Sequence, residues 1–227
     1  MGLRTQTITD AAYEKIKSDI LSGKYKPGQH LREKDLCDDL QVSRTPIRDA
    51  LNRLGQEGLV VVKPHKGVFV RKFTKKNIQD YYQTRAVLEG LGAELAAKNV
   101  TDSSKREFLM ILEKMKESLL TEKRKQLGDK ALIKWNDYFH DYVFKIAGNE
   151  VLDKMRKTLA YPIALIRVTS WIDDGRRLQT LKEHENIIKA IVAEDSQKAK
   201  QYAELHIYNA WRSAEENWDR LPDEEEQ

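Results

Sequence analysis

Two groups of side chains in this sequence have the types and spacing to do chemistry. The first lies in SRTPIR, residues 43–48, where Arg44 and Arg48 fall one helical turn apart on one outward face. Each guanidinium can fork onto guanine O6 and N7 or grip a phosphate. Ser43 or Thr45 can cap that helix and also reach a phosphate, and Pro46 suits a first helical turn, where its missing N–H has no partner to lose. Taken one at a time, Arg44, Arg48 and Arg53 would be an ordinary solvated face. The second group is imidazole: His140, His184 and His206 each stand among apolar residues at helical spacing. A lone inward histidine is more often a hydrogen-bonded core residue than a ligand. Three on three helices are harder to bury unpaired, and helical bundles build metal sites in this way. Asn136 precedes His140 by four residues in NDYFH and so shares its face.

The elements that must position these groups follow from periodicity and punctuation. Residues 9–22 place Ala12, Tyr13, Ile16, Ile20 and Leu21 at helical spacing behind a Thr9/Asp10 cap, and Gly23 stops the helix. Pro27-Gly28 predicts a turn. LREKDLCDDLQV carries Leu31, Leu36 and Leu40 as the stripe of a short second helix, and a few residues later a third runs from Ser43 to about Glu57 with Ile47, Ala50, Leu51 and Leu54 inward. Two short helices across so tight a turn predict a helix-turn-helix. LVVV and GVFVRKF, flanking PHKG, predict a small β-hairpin wing. In such a motif the last helix lies in the major groove with its N-terminal residues at the base edges, which accounts for the crowding of polar groups at SRTPIR.

From Thr74 the chain predicts almost only helix: 74–99, a second to about Leu120, a third over 127–147 ending at Gly148-Asn149, and a fourth from Glu150 that Pro162 kinks or splits. WIDDGRRL reads as a loop, followed by helices near 177–193 and 195–218 and a frayed acidic tail, PDEEEQ. The expectation is a mainly α protein. A winged helix-turn-helix occupies 1–72, a linker 73–76, an antiparallel helical bundle 77–221, and the tail 222–227.

The order ILSGKYKPGQHLRE, KDLCDDLQVSRTPIRDALNRLGQEGLV and KGVFV resembles the winged helix-turn-helix of GntR-type bacterial transcription regulators. The resemblance implies DNA contacts from Arg32, Arg44 and Arg48, phosphates held by Ser43 and Thr45, and a wing tip of Lys66 and Gly67 entering the minor groove. His65 beside them reads as an exposed turn residue. Farther along, YYQTRAVLEGLGAELAA, NDYFHDYVFKIAGNEVL, LKEHENIIKAI and AELHI resemble the all-helical FCD effector-binding domain of the FadR branch, VanR-like by size. That resemblance implies a divalent metal at Asn136, His140, His184 and His206. Many relatives carry an acidic residue at the position of Asn136; an amide brings no negative charge, and three imidazoles with an amide suit zinc or nickel better than magnesium or calcium. A small organic acid, the effector type common in the family, would complete the metal's coordination, with Arg85 pairing its carboxylate. Arg85 has a competing structural role as the i,i+4 partner of Glu89. Tyr81, Tyr138 and Trp211 read as core rather than pocket.

Composition bounds the rest. The 227 residues carry a net charge of +4, and residues 1–72 hold 14 basic against 9 acidic side chains, so the positive excess sits with the predicted DNA-binding part. The single Cys37 excludes an internal disulfide or a cysteine-rich metal site. No apolar run is long enough to span a bilayer, and MGLRTQTITD lacks a signal-like core, so a cytoplasmic protein without a membrane partner is expected. The reading is a homodimeric, ligand-responsive regulator of a pseudo-palindromic operator, and not an enzyme. Its rivals are a metal-dependent hydrolase tethered to DNA and an architectural DNA binder without effector. For a ligand to control the DNA-binding part, the expected seat of motion is Arg71 to Lys76.

Overall fold

A computed structural model describes residues 7–120, 130–159 and 174–217. The described residues form two compact units, the first of residues 7–77 with 158–159 and the second of residues 78–157 and 174–217.

The first unit holds the predicted helices and wing, with one strand that periodicity did not reveal. Helix α1 (Ile8–Leu21) is capped by Thr7 rather than Thr9: the Thr7 side chain accepts from the Asp10 backbone while Asp10 bonds back to Thr7. After α1 the chain forms a two-residue strand, β1 (His30–Leu31), then α2 (Glu33–Leu40) and α3 (Arg44–Gln56). The sharp turn between α2 and α3 is made by Gln41, at φ 54°, whose neighbour Val42 donates to the Cys37 carbonyl. Strands β2 (Val60–Lys63) and β3 (Gly67–Val70) form the hairpin, antiparallel with Val60 opposite Val70. β1 adds to the other side of β3, pairing His30 with Phe69 and Leu31 with Val68, so the sheet order is β1-β3-β2. Leu31 is therefore buried from a strand and not from the second helix. Ile16, Ile20, Leu36, Ile47, Leu51, Leu54, Leu59 and Val70 form the common core; each such side chain taken from water contributes about 1.5–3 kcal/mol.

The second unit is helical among the described residues: α4 (Lys75–Asn99), α5 (Asp102–Leu120), α6 (Lys130–Ala147), α7 (150–159), α8 (Asp174–Val192) and α9 (Ser196–Glu216). α8 and α9 pack along each other, and α5 packs on both α6 and α8 around Phe108, Ile111, Phe139, Ile188 and Ile191. α4 is small on its inner face, with Gly90, Gly92, Ala93, Ala96 and Ala97 buried. A Cβ at Gly92 would stand 3.1 Å from Phe144 Cζ on α6, so the missing side chain permits a close helix approach. DGRRL, read as loop, is instead the first turns of α8, and Arg176 is buried there. Asp174 in that first turn favours the helix N-terminus. The kink or split expected at Pro162, the expected start of the third bundle helix at 127–129, Trp171 to Asp173 and the acidic tail lie outside the described residues.

Candidate nucleic-acid face and metal centre

On the first unit, α3 buries Ile47, Ala50, Leu51 and Leu54 and turns Arg44, Thr45 and Arg48 outward. Ser43 is the N-cap by backbone geometry, but its hydroxyl makes no capping bond and is exposed. Arg32 holds the same position on α2, again exposed and without a side-chain cap. Arg48 donates through Nε to both oxygens of Glu33, at 2.9 and 2.8 Å. At the wing tip His65 takes a left-handed φ of 60° and Gly67 a φ of 102°. Lys66 stands exposed between them. A Cβ at Gly67 would collide with the His30 ring, which stacks on Phe69 with centroids 4.6 Å apart. The wing thus needs glycine there for its φ, and any side chain would also have to move the exposed His30 ring aside.

On the second unit, α6, α8 and α9 bring His140, His184 and His206 together, all three buried, with one ligand-type nitrogen from each within 4.8 Å of the others. His206 Nδ1 donates to Glu183 at 2.7 Å and His140 Nδ1 donates to Glu89 at 3.0 Å. Those bonds place the lone pair of each ring on Nε2. His184 Nε2 lies 3.2 Å from His206 Nε2, and His184 Nδ1 has no hydrogen-bond partner among the described residues. The His140 and His206 rings, with Glu89, border a small cavity walled by Ala93, Phe139, Val143, Ile187 and Ala203.

Two carboxylates that sequence reasoning did not assign to the site hold it in shape. Glu183 receives both terminal nitrogens of Arg176 at 3.0–3.1 Å and the Asn209 amide at 2.8 Å, besides His206. Glu89 receives Arg85 Nε at 3.2 Å, and Arg85 Nη2 reaches to 3.4 Å from His140 Nε2. Arg85 therefore has the Glu89 partner and, at the same time, an Nη2 edge turned to His140. Burial alone would push the Glu89 carboxyl up, but His140 and Arg85 hold it well below the usual carboxylate range. Glu183 is depressed too, burial being outweighed by His206 and Arg176. Burial drives the imidazoles the other way: His184 lies well below its ordinary value, with His206 adding to the effect, and His206 is pushed down to about 4 although Glu183 opposes the shift. The neutral form that burial favours at His184 and His206 is the one in which histidine binds metals.

A divalent ion fits this donor set. Metal–nitrogen bonds of about 2.0–2.1 Å set two imidazole nitrogens about 3.3 Å apart at a tetrahedral angle, close to the His184–His206 separation. Carboxylates on the outer nitrogens of two ligands are the usual supporting arrangement. Asn136 is buried on the His140 face, and its Nδ2 donates to Asp137 Oδ1 at 3.0 Å. Tyr138 is exposed and donates to Glu107, so it belongs to neither core nor cavity. The two arginine–glutamate pairs, Arg85/Glu89 at His140 and Arg176/Glu183 at His206, were the available signal for the support; the loop assignment of DGRRL hid half of it.

Comparison with known proteins agrees with both units. Residues 8–70 match the gntR family of bacterial regulatory proteins, and residues 80–209 match the FCD domain. The HTH-type transcriptional regulator YdhC of Bacillus subtilis is 31% identical over 86% of this chain and 85% of its own length. The Nta operon transcriptional regulator of Aminobacter aminovorans is 29% identical over 81% and 83%. Among solved structures, E. coli McbR/YncC has the same fold, with a TM-score of 0.76 over 94% of this chain and all of that one at 20% identity. A GntR regulator from Rhodococcus sp. RHA1 gives 0.71 over 92% and 97%, at 24% identity. No helix of the described residues is long and apolar enough to cross a membrane. With a DNA-reading winged helix at one end and an FCD domain at the other, the chain belongs to the GntR family of bacterial transcription regulators and is not an enzyme.

Proposed function

We propose that this regulator works as a cytoplasmic homodimer on a pseudo-palindromic operator, and that a small organic acid bound at a divalent metal in the FCD domain sets its affinity for DNA. The observation that carries the reading is the convergence of His140, His184 and His206, two of them oriented by Glu89 and Glu183, with the Arg85 edge beside them. His140, His184 and His206, with Asn136 on the same face, hold the metal. Zinc or nickel suits nitrogen donors better than magnesium or calcium. When bound, the ion is a Lewis acid that accepts a carboxylate oxygen, and the half-buried Arg85 takes the other by a forked hydrogen bond. On the DNA side Arg44 and Arg48 read base edges. Arg32, Ser43 and Thr45 hold phosphates, while Lys66 and Gly67 enter the minor groove.

The test has two parts. Elemental analysis of untagged protein prepared without chelator should find about one zinc or nickel per chain. A panel of small carboxylic acids is then screened against the metal-loaded protein by thermal shift, and each hit by fluorescence anisotropy on a duplex selected from a random library. A metal-free protein that takes up none on titration sinks the metal role. Carboxylates that shift neither melting nor DNA affinity sink the effector role.

A further inference from the structure

The geometry points to Glu33 as a specificity-determining residue for DNA reading: its carboxylate fixes the guanidinium of Arg48 for end-on contact with a base and keeps it off the phosphates. The inference rests on the reading of α3 as the groove-reading helix.

Stability does not explain the Glu33–Arg48 pair. Helices α2 and α3 are joined underneath by Leu36, Ile47, Ala50 and Leu51, all buried. The ion pair lies outside that core, with side chains 32% and 60% exposed, where such a pair adds on the order of 0–1 kcal/mol. Its geometry is what stands out. Both carboxylate oxygens are taken by the single Nε–H of Arg48, and the terminal nitrogens make no other hydrogen bond among the described residues. Those terminal nitrogens form the fork that matches guanine O6 and N7. A guanidinium held by its inner edge can present only its outer edge, and it gives up the rotamer freedom with which an exposed arginine reaches a phosphate on either side. Arg44, one turn earlier on the same exposed face, makes no ion pair among the described residues and keeps that freedom. Two arginines of one helix face thus have different tasks, and the difference comes from α2.

Glu33 also places a negative charge beside a polyanion. It lowers affinity for every duplex while holding one arginine in a pose that rewards the right base. Positive and negative effects of that kind are how a binding site acquires discrimination.

The experiment compares the parent protein, Glu33→Gln, Arg48→Ala and the double variant on two duplexes, one selected by the parent from a random library and one scrambled, across a salt series. The glutamine is isosteric but neutral and cannot hold Nε with two acceptors. The expected result for Glu33→Gln is tighter binding to the scrambled duplex, a salt dependence steeper by about one phosphate contact, and a selected-to-scrambled ratio about tenfold lower. In the Arg48→Ala background the same change should leave the ratio unaltered, because the arginine it positions is gone. A ratio in Glu33→Gln equal to the parent's overturns the inference, and so does an equal loss of ratio with and without Arg48. Failure of the parent to select any sequence would instead overturn the groove-reading assignment of α3.

Discussion

His184 and His206 face one another through their Nε2 atoms at 3.2 Å. Without an ion, one ring must donate to the other there, and the unpartnered Nδ1 of His184 is left buried. Such an atom costs free energy. An ion between the rings removes the need for the shared proton. Zinc added to the metal-free protein should therefore raise the melting temperature of the second unit, by several degrees once zinc exceeds its dissociation constant about a hundredfold. His206→Ala should abolish the shift; differential scanning calorimetry with and without zinc checks both.

Asn136 is buried on the face of His140 and brings no charge to a cation. Asn136→Asp should strengthen metal binding, by about tenfold or more, since it supplies an anionic oxygen to a low-dielectric site. The same variant should be less stable than the parent when metal-free, because its carboxylate is then buried without a cation. Competition with a fluorescent chelator measures the first effect and thermal melting the second; equal zinc affinity in the two proteins would remove Asn136 from the metal's surroundings.

Arg48→Ala and Lys66→Ala should fail differently on DNA. The first removes a base contact and should cost about 1–3 kcal/mol on the selected duplex with little change on random sequence. The second removes a wing-tip cation and should weaken all duplexes alike, making the salt dependence shallower by about one contact. Anisotropy titrations at several salt concentrations separate the two.

Gly92 faces the ring of Phe144 across the α4–α6 approach. Phe144 is buried and cannot swing aside, so Gly92→Ala should destabilise the second unit by about 1–3 kcal/mol despite alanine's better helix propensity. Urea unfolding reads the loss as a lower midpoint at unchanged slope.

Asp19 is a buried residue of α1 and takes the ammonium groups of Lys15 and Lys24, at 2.5 and 2.9 Å. Burial pushes its carboxyl up, but the two lysines prevail and leave it below the ordinary value of 3.8. A depressed carboxylate contributes stability that is fully present above its unfolded value and is lost as pH falls through its folded one. Asp19→Asn should thus cost stability at neutral pH and cost progressively less below about pH 4. Melting curves over a pH series would show the gap between the proteins closing on the acid side.

The sequence made the elements legible where a period and a boundary agreed. SRTPIR and the Leu/Ile stripe behind it fix α3, and the three histidines each fall on an apolar stripe that has to point inward. What stayed hidden depends on contacts between distant segments. His30–Leu31 is too short to show alternation and becomes a strand only because β3 offers it an edge. Thr7 could not be told from Thr9 as a cap without the Asp10 geometry, since both are hydroxyls ahead of the same helix. DGRRL looks like a loop by composition, yet Arg176 makes it helix by reaching Glu183 seven residues later. Glu89 and Glu183 look like partners for neighbouring arginines, which they are; their bonds to the imidazoles appear only when α4 meets α6 and α8 meets α9.

The short strand β1 has one more effect. A β-hairpin leaves two rows of unpaired backbone groups, either of which can template another chain. Here His30 and Leu31 cover one side of β3, and a two-residue strand is itself too short to recruit a further one. The other edge, β2, has four residues and runs out in Lys63 and Pro64, a charge followed by a residue with no N–H to offer. The wing can leave its tip, residues 63–67, exposed without becoming a seed for aggregation.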